Sequence, residues 1–310
     1  RFSEKYDDSP RTEYPWVTAI TAPTIMSAPR LQQYNVRDEQ KLTHREAFAG
    51  KLDFKLSDRT TLMVSGQWNW YDLLFTQRGP QFVLGTASTG SNGTFTSGAS
   101  GANINNGVLF RNKYGTTLHF NARLAHEFAN GGKLEVTPYW SDADGQYRDT
   151  SKGFISSVAQ MAPSATTYTN FTLTDVGRLG TMPTLTLNLA GNPVPAGFMR
   201  DLGNYRLTNT ATGGNFQSRP WTSTDRKTGV RADYTQDFDW FRPVTLTTGF
   251  ASDNIDRSID RPDLRGVIAA TTGDALRALA DPNYTDDVGY GFGSFQVVDP
   301  FKVWETFRAN

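Results

Sequence analysis

Apolar and polar residues alternate with a period of two along three paired stretches of the chain, the pattern of strands with two unlike faces. In 46–56, Phe48, Gly50, Leu52, Phe54 and Leu56 share one side, and Ala47, Ala49, Lys51, Asp53 and Lys55 the other. The turn Ser57-Asp58-Arg59-Thr60 leads into 61–72, where Leu62, Val64, Gly66, Trp68 and Trp70 alternate with Met63, Ser65, Gln67, Asn69 and Tyr71. A second pair, 116–128 and 133–141, flanks Ala129-Asn130-Gly131-Gly132, a strong hairpin signal. Leu118, Phe120, Ala122, Leu124 and Phe128 fall on its apolar side, with His126 as a polar exception, and Leu134, Val136, Pro138 and Trp140 on the return strand. Pro138 removes one ladder donor, a cost met at a bulge or a weakly bonded position. The third pair, 227–238 and 243–253, sets Val230, Ala232, Tyr234, Phe238, Val244, Leu246 and Phe250 against Arg231, Asp233, Thr235, Asp237, Thr245 and Thr247.

The connections between these pairs are long, polar and rich in Gly, Ser, Asn and Thr: 73–115, 142–226 and 254–310. Connections of that length are uncommon in compact domains. Short and long connections in alternation are the pattern of a transmembrane β-barrel, with short periplasmic turns and long extracellular loops. Tilted spans of roughly 9–11 residues fit the strand lengths. The expectation is an all-β chain, an up-and-down antiparallel barrel segment, with hairpins 46–72, 116–141 and 227–253 in an outer membrane. Trp68, Trp70 and Trp140 then mark the outer interface and Trp240 the inner one. Lys51, Asp53, Lys55, Arg123, Glu127, Glu135, Arg231 and Asp233 face the lumen, where charge is tolerable because the space is wet or filled by protein. They line a solute path, grip an internal plug, or form an ion-pair ladder across strands. Two weaker segments, Thr167–Val176 and Pro183–Ala190, read as a hairpin within a loop in preference to further spans. Asp274–Ala280, between Gly273 and Asp281-Pro282, reads as a short loop helix.

Composition agrees. Of 310 residues, 28 are Gly, 15 Pro and 39 aromatic, which suits strands and turns. Basic and acidic residues balance at 31 each, so no global field draws nucleic acid. Cysteine is absent and histidine numbers three, which excludes a thiolate centre and leaves no convincing histidine metal site. No run of 18 apolar residues offers a helical span. No Gly-x-Ser-x-Gly, His-Glu-x-x-His or phosphate-cradling motif is present, so neither an enzyme nor a cofactor is expected. Asp142-Ala143-Asp144-Gly145 lacks the later acidic ligand of a calcium loop and reads as a turn, and Gly289-Tyr290-Gly291-Phe292-Gly293 reads as flexible loop. Asn92-Gly93-Thr94 and Asn170-Phe171-Thr172 match glycosylation sequons, without consequence in a bacterium. In the long connections, Trp221, Tyr168, Phe171, Arg257 and Tyr284 are the candidate substrate contacts, since aromatic faces and guanidinium donors suit sugars or iron chelates.

The hairpins Phe48–Trp70, Leu118–Trp140 and Val230–Phe250, the long connections carrying their own hairpin and helix, and the stretch Val297–Trp304 together resemble the barrel part of a TonB-dependent outer-membrane receptor. The likeness runs over essentially the whole chain and is one of pattern, tied to no invariant motif. It implies a barrel of 22 strands with a plugged lumen, of which this chain supplies under a third. It also implies import of a small-molecule nutrient, such as a siderophore or carbohydrate, with energy from the TonB complex. A TonB box, the plug domain and a closing terminal aromatic are missing, so a fragment is expected, completed by the plug and the remaining barrel strands. Two other readings stay open: a small porin-like eight-stranded barrel, and a soluble β-rich carbohydrate-binding module.

Overall fold

The computed structural model describes residues 2–8, 11–13, 16–17, 20–21, 25–26, 30–85, 88–91, 93–97, 102–163, 168–176, 183–189, 192–194, 197–207, 214–269, 271–284 and 293–309. The chain is mostly antiparallel β-strand with few helices. Its frame is one large sheet, whose main path follows chain order: β1 (Phe2–Asp8), β2 (Gln33–Ser57), β3 (Thr60–Val83), β4 (Asn103–Glu127), β5 (Lys133–Tyr147), β6 (Trp221–Asp239) and β7 (Pro243–Asp260). Among the described residues this sheet is open, with β1 and β7 at its edges.

The three hairpins lie where the alternation placed them, but their strands run far past the expected ends. β2 and β4 are 25 residues long and β3 is 24. The connection 73–115 is therefore largely strand, and Asp142-Ala143-Asp144-Gly145 continues β5 where a turn was expected. The extensions escape a periodicity search because polar residues share the apolar side. Asp38 and Gln40 lie on the side of Val36, and Asn106 and Asn112 on that of Val108 and Phe110. β1, which pairs along β2 from Phe2↔Glu46 to Asp8↔Gln40, likewise lies outside the alternating pattern.

Tyr168–Thr174 and Thr184–Leu189 pair with each other, and the former with Thr94–Thr96, in a separate five-stranded sheet. They add no strand to the frame. Helix α1 is Gly273–Arg277, shorter than the expected Asp274–Ala280 because the chain turns there and Ala280 bridges to Val298. Helix α2, Pro300–Ala309, ends the connection 254–310, which was expected to carry no helix besides Asp274–Ala280. Pro300 starts it without losing a needed N–H, and the Asp299 carboxylate accepts the Phe301 N–H at 2.8 Å as a cap. Of Gly289–Gly293 only Gly293 lies within the described residues, Asn92 lies outside them, and the Asn170 side chain is not among those described.

The apolar core sits at the end of the sheet remote from the short turns. Tyr34, Val36, Phe82, Ile104 and Val108 of β2–β4 are buried in one cluster with Ile155, Phe216, Ile268, Val297, Val298 and Val303 from the long connections. Toward the short turns the same side of the sheet is bare: Phe48, Leu52 and Phe250 are 73, 63 and 61 % exposed.

Candidate functional site

Antiparallel partners lie on one face, so the register decides which residues share a side. From Phe54 the line runs through Leu62, Leu124, Val136 and Ala232 to Phe250. Even-numbered residues of β2–β7 thus form a single apolar face. Odd-numbered residues form the polar one, and all eight residues assigned to a lumen fall on it.

The apolar face is a band that crosses the strands obliquely. Its upper limit is Phe48 on β2, Trp70 on β3, Leu118 on β4, Trp140 on β5, Val230 on β6 and Phe250 on β7; the next even residues are Glu46, Asp72, Thr116, Asp142, Thr228 and Ser252. From β4 onward the last apolar residue of one strand opposes the first polar residue of the next: Leu118↔Asp142, Trp140↔Thr228, Val230↔Ser252. Phe250 stands in line with Phe54, six positions below Phe48. That displacement is about 20 Å along the strand over about 24 Å of strand spacing, a tilt of about 40° between strands and band normal. Barrel strands tilt by about 35–45°. From Phe48 to Leu56 the band measures about 27 Å along β2, or about 20 Å along its normal, against roughly 25 Å for a membrane belt.

Aromatic residues mark both limits. Trp70 and Trp140 stand at the upper limit of the band on their strands, and Trp68 faces Phe48 and Leu118. Trp240 and Phe241, in the β6–β7 turn, stand almost free at 75 and 96 % exposure. Within the sheet, glycines face aromatic rings. A Cβ on Gly66 would meet the ring of its partner Phe120 at 2.8 Å, and one on Gly229 the ring of its partner Tyr139 at 2.5 Å. Each ring occupies the space a side chain on the glycine would take, covering backbone that such a side chain would otherwise shield.

The polar face encloses a groove of about 860 Å³ near the short turns. Arg123, Glu127, Glu135, Arg231 and Asp233 line it, while Lys51, Asp53 and Lys55 lie farther along the same face. Its charges neutralise one another: Lys51 with Asp53 at 3.1 Å, Lys55 with Asp58 at 2.7 Å, Arg231 with Asp233 at 2.6 Å, and Arg123 with Glu135. Such exposed pairs are screened by water, so they keep the wall neutral more than they stabilise it.

No family model, curated protein or solved structure matches the chain.

A second hollow, of about 410 Å³, opens at the other end of the sheet. It is lined by Arg111, Tyr147, Arg219, Trp221, Arg261 and Asp263. Arg111, Tyr147 and Trp221 are odd-numbered residues of β4, β5 and β6, so the hollow lies on the polar side. Tyr147 opposes Trp221 directly, their rings edge to face at 4.8 Å. Arg111 stacks 4.5 Å from the Tyr147 centroid and Arg261 5.3 Å from that of Trp221. Asp149, buried behind Arg111, accepts the Asn112 N–H at 2.9 Å and lies 3.8 Å from Arg111 Nε. Burial pushes its carboxyl above the usual range, against the pull of the Asn112 N–H, Arg111 and Ser218. Asp263 is held down to about 2 by its hydrogen bonds from Arg265 and Gln217.

Of the expected substrate contacts, Trp221 lines this hollow. Arg257 instead pairs with its cross-strand partner Asp225 on the exposed wall. Phe171 and Tyr284 are core residues: Phe171 packs on Phe82 at 5.8 Å, and Tyr284 stacks with Arg78, which also pairs with Asp281 at 3.1 Å. Tyr168 is on the Tyr168–Thr174 strand, but its side chain lies outside those described. Arg111, Tyr147, Arg219 and Asp263 escaped sequence reasoning, because only the register and the fold-back of distant connections bring them together.

Proposed function

We propose that this chain forms part of the wall of an outer-membrane β-barrel receptor that imports a small-molecule nutrient. The observation that carries the reading is the one-sided apolar band, of membrane height, set obliquely to the strands. An apolar sheet face must be covered. Far above the band on β2–β4, protein covers Tyr34, Val36, Phe82, Ile104 and Val108; along the band, nothing among the described residues covers Phe48, Leu52 or Phe250, and the aromatic limits suit a lipid–water boundary. The neutral but charge-dense groove on the opposite face suits a wet lumen or a plug surface. Open edges cannot face hydrocarbon, so β2 from Phe48 downward, where β1 no longer pairs with it, and β7 would pair with further strands. The likeness in pattern to TonB-dependent receptors supplies the active-transport part of the proposal: an internal plug, and energy from the TonB complex.

The absence of cysteine makes a direct test clean. Single cysteines at Phe48, Leu52, Leu246 and Phe250, and at Lys51, Asp53, Thr245 and Thr247, would be spin-labelled after reconstitution of the protein in vesicles. Even positions should be relaxed by oxygen and shielded from a water-soluble nickel chelate, odd positions the reverse. Loss of that alternation would refute the membrane reading.

A further inference from the structure

We infer that the hollow of Arg111, Arg219, Arg261, Tyr147 and Trp221 binds a small organic polyanion, one carrying two or more carboxylate or phosphate groups. The inference deepens the receptor reading and rests on its assignment of the polar face to the solute side. The hollow begins seven residues beyond the upper limit of the apolar band on β4 and on β5, Arg111 against Leu118 and Tyr147 against Trp140, or about 23 Å farther along the strand. A solute arriving from the long-connection side would meet it before the membrane-level groove.

The donor set decides the ligand class. Three guanidinium groups converge, each a planar fork that fits an oxyanion through two hydrogen bonds. Two of them rest on aromatic faces, which hold the forks in place before a ligand arrives. Among the described residues, no carboxylate lies within 4.0 Å of Arg261; its neighbour is the Trp221 ring. Arg219 is 3.7 Å from Asp263, but that carboxylate is already engaged by Arg265 at 2.6 Å and by Gln217 at 2.7 Å. Arg111 has only the raised, buried carboxyl of Asp149 at 3.8 Å. Two buried donors, Arg111 Nε and Trp221 Nε1, have no acceptor among the described residues. A neutral sugar needs acceptors as well as donors, and this lining offers few: the Asp263 carboxylate already accepts from Arg265 and Gln217, which leaves the Tyr147 hydroxyl. A lipid headgroup would approach from the opposite, apolar side of the sheet. What remains complementary is a soluble molecule that brings several acceptors and negative charge.

Benzene-1,3,5-tricarboxylate is a suitable probe, with the isosteric neutral tricarboxamide beside it. Titration calorimetry on the full protein in detergent should show binding of the tricarboxylate, weakening as salt is raised, and none of the tricarboxamide. Arg261→Gln and Arg219→Gln should each weaken it about tenfold or more, the usual effect of losing a charge-assisted contact. Arg261→Lys should recover part of the loss. Arg111→Gln removes a neighbour of buried Asp149 and could perturb folding, so the decision rests on the two other arginines. Absence of binding, equal binding of the tricarboxamide, or indifference to both Gln variants would overturn the inference. The same preparations are scored for vesicle insertion: normal insertion without tricarboxylate binding sinks only the polyanion site, whereas failure of the unaltered protein to insert sinks the membrane reading.

Discussion

Placing an arginine at successive depths of the apolar band tests the lipid boundary quantitatively. Leu52 is four residues below Phe48 and four above Leu56, so it lies about 10 Å from either limit once the strand tilt is applied. That is the centre of the band. An arginine on a lipid-facing strand costs about 2–4 kcal/mol at mid-depth and about 0–1 near an interface. Leu52 is 63 % exposed in the chain by itself, and its lost transfer into hydrocarbon adds about 1–2 kcal/mol. Leu52→Arg should therefore destabilise the inserted protein by about 3–6 kcal/mol. Phe48→Arg and Leu56→Arg should cost visibly less, about 1–3 kcal/mol, most of it lost apolar transfer. Lys51→Arg, one residue away on the other face, should be nearly silent. Urea unfolding in lipid vesicles, followed by tryptophan emission, measures all four. A profile along β2 that is flat, or that peaks at Phe48 or Leu56, would refute the assignment of this face to lipid.

Two further predictions follow from local geometry. Gly66→Ala should cost about 1–3 kcal/mol because its Cβ meets the Phe120 ring at 2.8 Å; a double-mutant cycle with Phe120→Leu, which vacates that space, should show coupling above about 0.5 kcal/mol. The Asp263 carboxyl, held at about 2 against an ordinary 3.8, favours the folded state above about pH 4 and loses that contribution as pH falls through about 2. Pairing of Phe216–Ser218 with Leu264–Gly266 should thus loosen across that window, seen as faster amide exchange at Gln217 and Arg265 relative to Asp263→Asn.

Sequence and structure agree where one physical rule acts alone. Leu52 alternates with the charged Lys51 and Asp53, and Leu246 with the hydroxylic Thr245 and Thr247; on the proposed membrane reading this is because one face meets an apolar medium and the other a polar one. Strand boundaries were lost where that contrast fades: Asp38, Asn106 and Asn112 occupy the apolar side of the extensions because protein that can hydrogen-bond them covers it there. Asn112 reaches Leu73 O at 3.3 Å, and its own N–H reaches Asp149. Aromatic residues of the long connections pointed toward binding, yet Phe171 and Tyr284 are buried. Connections of such length must bury apolar surface of their own to hold a fold, and these rings supply it. The arginine hollow was illegible for a different reason. Arg111, Arg219 and Arg261 are separated by more than a hundred residues end to end, and no local pattern announces a site assembled by register.

On the proposed membrane reading, one sheet face has two kinds of cover, and each predicts its own response to mutation. Phe82 on β3 and Leu52 on β2 point to the same side of the sheet. Phe82 is fully buried, against Phe171 at 5.8 Å and Tyr34 at 6.4 Å, so its cover is protein. Phe82→Ala leaves a hole that its neighbours only partly fill and should cost about 3–5 kcal/mol. That cost should be the same in a short-chain detergent, in vesicles of thin bilayer and in vesicles of thick bilayer, because none of these media reaches the side chain. Leu52→Ala makes no hole in protein. It removes only the favourable transfer of a partly exposed leucine, about 1–2 kcal/mol, and that amount depends on hydrocarbon being present at its depth. The ratio of the two losses should shift as the medium is changed, driven by Leu52 alone. Equal sensitivity to the medium at both positions would mean that one kind of cover serves the whole face, and the division between loop-covered and lipid-covered halves would have to be abandoned.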